Sequence, residues 1–127
     1  MKTLAIIGAA ALTLSGCATV QNWVPSFWDD NQSRIIVDAR LYIEQIDCDQ
    51  PQTAQILRVD QELRRFQVYS QAKGTLQKDV LRVIDPMKTS TEEWVKRGEG
   101  STTYCEIKKK LLTQQADRAS SVILGRW

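Results

Sequence analysis

The chain has 127 residues and a formal net charge of +2, with seventeen Lys and Arg against fifteen Asp and Glu, 43% hydrophobic residues, three cysteines and no histidine. Near-neutral charge provides no overall field to gather nucleic acid or anionic lipid, and the lack of histidine removes the usual general base, the His-containing nucleophilic triads and most zinc sites. This length supports one domain with a small hydrophobic core.

The chain begins with a positive charge at Lys2, followed by an eleven-residue run, Leu4 to Leu14, interrupted only by Gly8 and Thr13. Small residues then lead into Cys17, which is the layout of a secretory signal, and the run is too short to remain as a membrane-spanning helix. Leu14-Ser15-Gly16-Cys17 resembles the lipobox of the bacterial lipoprotein class, a Leu, two small residues and an invariant Cys, at all four positions. The resemblance implies cleavage between Gly16 and Cys17, a diacylglycerol thioether on Cys17 and acylation of the new amino terminus. In that class an Asp after the lipidated Cys favours inner-membrane retention. Ala18 stands there instead, which resembles the outer-membrane members and implies the periplasmic face of that membrane. The chain then divides into a signal peptide (1–16), a lipid anchor with a short linker (17–33) and a helical domain (34–127).

In the linker, Trp23, Phe27 and Trp28 have two open roles: seating in the membrane interface, where amphipathic rings are favoured, or packing on the domain. Asp29, Asp30, Asn31 and Ser33 are alternative helix N-caps. From Arg34 to Asp47, Ile36, Ala39, Ile43 and Ile46 recur at helical spacing, with Ile35 and Tyr42 widening the stripe. Pro51 separates this helix from a second that starts near Thr53 and carries Ile56, Val59, Leu63 and Phe66 on one face. The pattern resumes at Leu76, Val80, Val83 and Ile84. A bend or turn near Gly74 is expected, because an unbroken helix over 53–84 would be about 48 Å long, too far for Cys105 to return easily to Cys48. Pro86 should end that segment. A capping box from Ser90 and Glu93, or Thr89 and Glu92, should open a short helix through Trp94 and Val95. A last helix over Thr102 to Leu124 carries Tyr104, Ile107, Leu111, Leu112, Ala116, Ala119, Val122 and Ile123, with Gly125 as its cap and Arg126 and Trp127 as a tail. The expected fold class is all-α, a small, mostly antiparallel helical bundle.

Export to an oxidising compartment makes a Cys48–Cys105 disulfide the default reading, with an intermolecular bridge or two free thiols as the alternatives. Asp47-Cys48-Asp49 lacks the companion ligands of a metal site. Adjacent Glu92 and Glu93 point about 100° apart on a helix and read as capping residues. Lys108, Lys109 and Lys110 read first as a solvated face and second as a contact to anionic headgroups, cell-wall carboxylates or an acidic partner. Arg126 and Trp127 place a guanidinium beside a large ring, the residue types that dominate binding energetics, unless the tail folds back as core. Residues 29–60 carry seven acids and three bases, and residues 61–127 eight acids and thirteen bases, an asymmetry that pairing within one fold would absorb.

No enzyme, cofactor, metal, nucleic-acid or small-molecule role follows from these residues. The expected partners are the membrane, through the lipid, and another envelope protein, with the chain acting as a structural tether or accessory interaction subunit. The alternative is similarity to the outer-membrane spanin subunit of phages, a small lysis lipoprotein. Such subunits are often proline-rich and little structured, a pattern from which three prolines and an expected disulfide-stapled core depart.

Overall fold

A computed structural model describes residues 28–74 and 77–126. These residues form four helices, α1 (Asp30–Glu44), α2 (Gln52–Lys73), α3 (Lys78–Arg97) and α4 (Thr102–Leu124), and no strand. The helices are joined by short connections, α1 and α3 each pack against both α2 and α4, and the result is an antiparallel four-helix bundle. Hydrogen bonds fix its ends. Gln32 at the start of α1 reaches Ser70 at the end of α2, Gln77 before α3 and Arg126 after α4, while Gln52 at the start of α2 reaches Gly100 and Ser101 before α4. The start of α1 and the end of α4 therefore lie at one end, and the α1–α2 and α3–α4 connections at the other.

The apolar periodicity sets the core. Ile36, Ala39 and Ile43 from α1, Ile56, Val59, Leu63 and Phe66 from α2, and Leu112, Ala116, Ala119 and Ile123 from α4 are all fully buried. The expected apolar stripe of the last helix was too broad. Ile107, Leu111 and Val122 lie on the outside, because α4 packs mainly against α1 and α3 and its apolar arc exceeds what they cover.

α1 begins at Asp30, four residues before the hydrophobic pattern announces it, and so takes in part of the stretch read as linker. Asp29 is its N-cap, with Oδ1 accepting the Gln32 N–H at 2.8 Å. The helix ends at Glu44 rather than Asp47, and the Ile46 N–H closes onto the Ile43 carbonyl. The break near Gly74 is present. Gly74 adopts φ +104° as the last helical carbonyls turn away, a conformation costly for any residue with a Cβ. Leu76, expected in the resumed stripe, falls outside the described residues.

Pro86 does not end its helix. It sits inside α3, which continues without interruption to Arg97, so the expected capping boxes at residues 89–93 do not form and Glu92 pairs with Lys88 at 2.7 Å. Proline at that point removes a donor to the Arg82 carbonyl and costs about 3 kcal/mol relative to alanine. Val80, Ile84, Met87, Thr91 and Trp94 form a buried stripe at 4, 3, 4, 3 spacing that runs past the proline on the opposite side, and burying it outweighs that cost. Pro86 itself is exposed. Pro86→Ala is therefore expected to stabilise the fold by about 1–3 kcal/mol, read as a raised melting temperature by circular dichroism. An unchanged or lower value would contradict this account of the helix.

The disulfide joins Cys48 to Cys105 within the chain, with Cα atoms 5.6 Å apart, and ties the α1–α2 connection to the first turn of α4. Cys105 is fully buried against the core. The charge asymmetry along the sequence is partly absorbed internally, as Lys73 pairs with Asp29 and Lys88 with Asp60.

Candidate functional site

The two ends of the bundle carry different polar chemistry. At the end where α1 begins, the Gln32 side chain is fully buried with its amide satisfied: Nε2 donates to Ser70 Oγ at 2.8 Å and to Gln77 Oε1 at 2.7 Å, and Oε1 accepts from Arg126 Nη1 at 2.9 Å. One residue thus joins all four helices or their flanks. Asp29 beside it accepts from Gln32 N–H, Tyr69 hydroxyl and Lys73 ammonium, and Asn31 donates to the same Tyr69 oxygen.

Burial pushes the Asp29 carboxyl up, but the hydrogen bonds from Lys73, Gln32 and Tyr69, with the Lys73 charge, outweigh it and the group ionises below the ordinary aspartate range. A carboxylate with a depressed folded-state value stabilises the fold above its unfolded value near 4, and that contribution is lost as pH falls through the folded value. Melting temperature should accordingly fall as pH drops below about 4. Asp29→Asn, which keeps a capping oxygen, should flatten this decline; an equally steep decline in the variant would contradict the assignment.

At the other end Pro51 precedes α2 and offers no side-chain cap. Glu99, from the α3–α4 connection, supplies one: Oε2 accepts the Gln52 N–H at 2.8 Å and Oε1 the Thr53 N–H at 2.9 Å. Hydrogen bonds from the Gln52 and Thr53 backbone and from the Thr53 side chain hold the Glu99 carboxyl below the ordinary glutamate range. The Gln52 side chain donates to the Gly100 carbonyl and accepts from Gly100 N–H and the buried Trp94 indole. The disulfide lies at this same end.

The residues singled out in the sequence are dispersed over this frame. Trp28 is 44% exposed, and its indole donates to Asp30 Oδ1 at 2.6 Å. Lys108, Lys109 and Lys110 do not form a single basic patch. Lys109 donates to the Ile46 carbonyl at 2.8 Å, so it ties α4 to the α1–α2 connection; Lys108 lies over the Tyr104 ring at 5.7 Å, and Lys110 is exposed. Arg126 is folded back rather than extended: Nε donates to the Ile123 carbonyl and Nη1 to Gln32. Burial lowers the basicity of its guanidinium, opposed by Asp79 and Asp29. Cys17, Trp23, Phe27 and Trp127 lie outside the described residues.

Concavities open on the side walls among the described residues. A cleft of about 170 Å³ between α3 and α4 is lined by Val83, Pro86, Leu111, Gln114, Gln115 and Arg118. A groove of about 120 Å³ between α1 and α2 is lined by Tyr42, Gln45, Ala54, Gln55 and Arg58. Their linings combine apolar patches with amides and a guanidinium, chemistry suited to holding a side chain. Among the described residues no cluster of three or more His, Cys, Asp or Glu gathers to hold a metal, and no helix is long and apolar enough to cross a membrane.

Sequence reading missed Gln32 and Glu99. A buried glutamine has no periodic signature, and a cap delivered from 46 residues away leaves no local motif. Compared with known proteins, the chain matches no protein-family model, no curated sequence and no solved structure.

Proposed function

We propose that the chain is a lipid-anchored protein of the periplasmic face of the outer membrane, acting as a structural tether or accessory interaction subunit. The observation that carries this reading is Leu14-Ser15-Gly16-Cys17, a complete lipobox at the end of an apolar run of signal length. A thioether-linked diacylglycerol together with an amide-linked acyl chain gives the multiple-chain anchoring that one acyl chain cannot supply.

The form of the bundle supports a supporting role rather than a catalytic one. The buried polar residues Gln32 and Gln52 are spent on joining helices, and the side-wall cavities hold no nucleophile beside a base. Ten residues lie between Cys17 and Trp28, and the eleven steps give an extended reach of at most about 40 Å. In this reading the tether to the membrane joins the bundle at its Gln32 end, where α1 begins.

The test is fractionation of the full-length protein expressed in a bacterium with two membranes. The wild-type chain should require detergent for extraction and sediment with outer membranes, whereas Cys17→Ser should appear as an uncleaved or soluble form. Identical fractionation of the two would overturn the proposal.

A further inference from the structure

α2 presents to solvent a second face that nothing in the bundle uses. Ala54, Leu57, Gln61, Arg64 and Val68 follow one another at spacings of 3, 4, 3 and 4, all are exposed, and Leu57 and Val68 are 42% and 57% accessible. That spacing is the seam of a two-helix coiled coil, here about 21 Å long. Arg58 and Arg65 stand one heptad apart on the same flank of the seam, at the positions from which coiled-coil helices form interhelical salt bridges.

The charge of this face is one-sided. Between Ala54 and Lys73 the only acids are Asp60 and Glu62; Asp60 is turned toward α3, where it accepts from Thr91, and Glu62 is buried. Exposed carboxylates are therefore absent from the strip, while Arg58, Arg64 and Arg65 line it. The outer faces of the other three helices mix both signs: Asp30 and Glu44 with Arg34 on α1, Asp85 and Glu93 with Arg82 and Lys96 on α3, and Glu106 and Asp117 with Lys110 and Arg118 on α4.

Two of the arginines are already oriented. The Arg58 guanidinium lies 5.3 Å from the centre of the Tyr42 ring, and Arg65 Nη1 stands 3.3 Å from Glu62 Oε1. Less rotamer freedom is then lost when a carboxylate docks, and the planar fork matches a carboxylate in two-point fashion. The 120 Å³ groove shared by Ala54 and Arg58 lies beside the upper part of the seam and offers a seat for a partner side chain.

We infer that the outer face of α2 is a docking surface for an acidic amphipathic helix of a partner protein, with apolar partner residues on Leu57 and Val68 and partner carboxylates on Arg58, Arg64 and Arg65. This rests on the reading of the chain as an interaction subunit, and it is separable from the anchor, since binding to α2 and fractionation through Cys17 are measured independently and either can fail alone.

The experiment uses the full chain in detergent and a fluorescein-labelled three-heptad peptide with Leu at its core positions and Glu on both flanks, held below its self-association concentration. The Glu peptide should bind, with affinity falling as salt rises, and the same peptide carrying Lys in place of Glu should not. Arg58→Glu with Arg65→Glu should raise Kd at least tenfold, and Lys110→Glu on α4 should leave it unchanged. Should the double variant lose helicity, Gln61→Glu asks the same question at the centre of the seam, with the same direction expected. Equal binding of both peptides, no binding of the Glu peptide, or a Kd indifferent to these charge reversals would overturn the inference. Binding of phosphatidylglycerol vesicles through the same arginines, without binding of the Glu peptide, would also overturn it and assign the strip to a lipid surface.

Discussion

Replacing Cys48 and Cys105 together with alanine is expected to destabilise the domain by about 4 kcal/mol, because the bridge closes a chain separation of 57 residues and its loss returns that loop entropy to the unfolded ensemble. For a domain of this size such a loss lowers the melting temperature by roughly 20 °C. Reduction of the wild-type protein should give a similar shift, measurable by thermal denaturation with and without reductant. The effect should concentrate at one end of the bundle. The α1–α2 connection would then be held by Gln55, which bonds Asp47 at both N–H and carbonyl, and by Lys109 on the Ile46 carbonyl. Amide exchange should accelerate at residues 46–52 before it does around Gln32. A shift below about 5 °C would mean that the helical core alone supplies most of the stability.

Trp94→Ala should cost about 3–5 kcal/mol, the range for deleting a large buried aromatic. Trp94 is 1% exposed, meets the Tyr104 ring edge-on with centroids 6.0 Å apart, and directs its indole N–H at Gln52 Oε1. The substitution empties the core beneath the α3–α4 connection and removes a partner from the side chain that fastens the start of α2. Trp94→Phe retains most of the buried area and the edge-on contact but loses the 3.4 Å hydrogen bond, so its cost should be about 1 kcal/mol. Urea denaturation separates the two. Equal losses for both variants would place the energy in the indole N–H rather than in packing.

Helical periodicity made the bundle legible in the sequence. Ile36, Ala39 and Ile43 identify the buried face of α1 because burial in a helix repeats every 3.6 residues, and Gly74 identifies the turn between α2 and α3 because it can take a positive φ. The disulfide was also readable, since reading Cys17 as a lipidation site leaves two cysteines, and the expected export makes their pairing the default.

What escaped the sequence were interactions between segments distant along the chain. The first turn of α1 is polar, and only the side chains of Ser70, Gln77 and Arg126 make it favourable to bury Gln32 there. Local propensity places a stop at Pro86, yet the stripe from Val80 to Trp94 is buried against α2 and α4 and carries the helix through. Ile107, Leu111 and Val122 read as core because amphipathicity reports how apolar an arc is and not how many neighbours cover it. The arginines of α2 had no signature at all until Asp60 and Glu62 were seen to be withdrawn from the surface around them. As for the site itself, Lys108, Lys109 and Lys110 form a basic run in sequence, but a helix fans three consecutive residues across about 200° and the bundle uses Lys109 internally.

The proposed anchoring of the chain through Cys17 is tested most directly by intact-mass and peptide-mass measurement of the full-length product recovered from bacterial membranes. The account predicts a mature chain beginning at Cys17 that carries a diacylglyceryl group on sulfur and an acyl group on the new amino terminus. A chain that retains residues 1–16, or one that begins elsewhere with an unmodified Cys17, would contradict it.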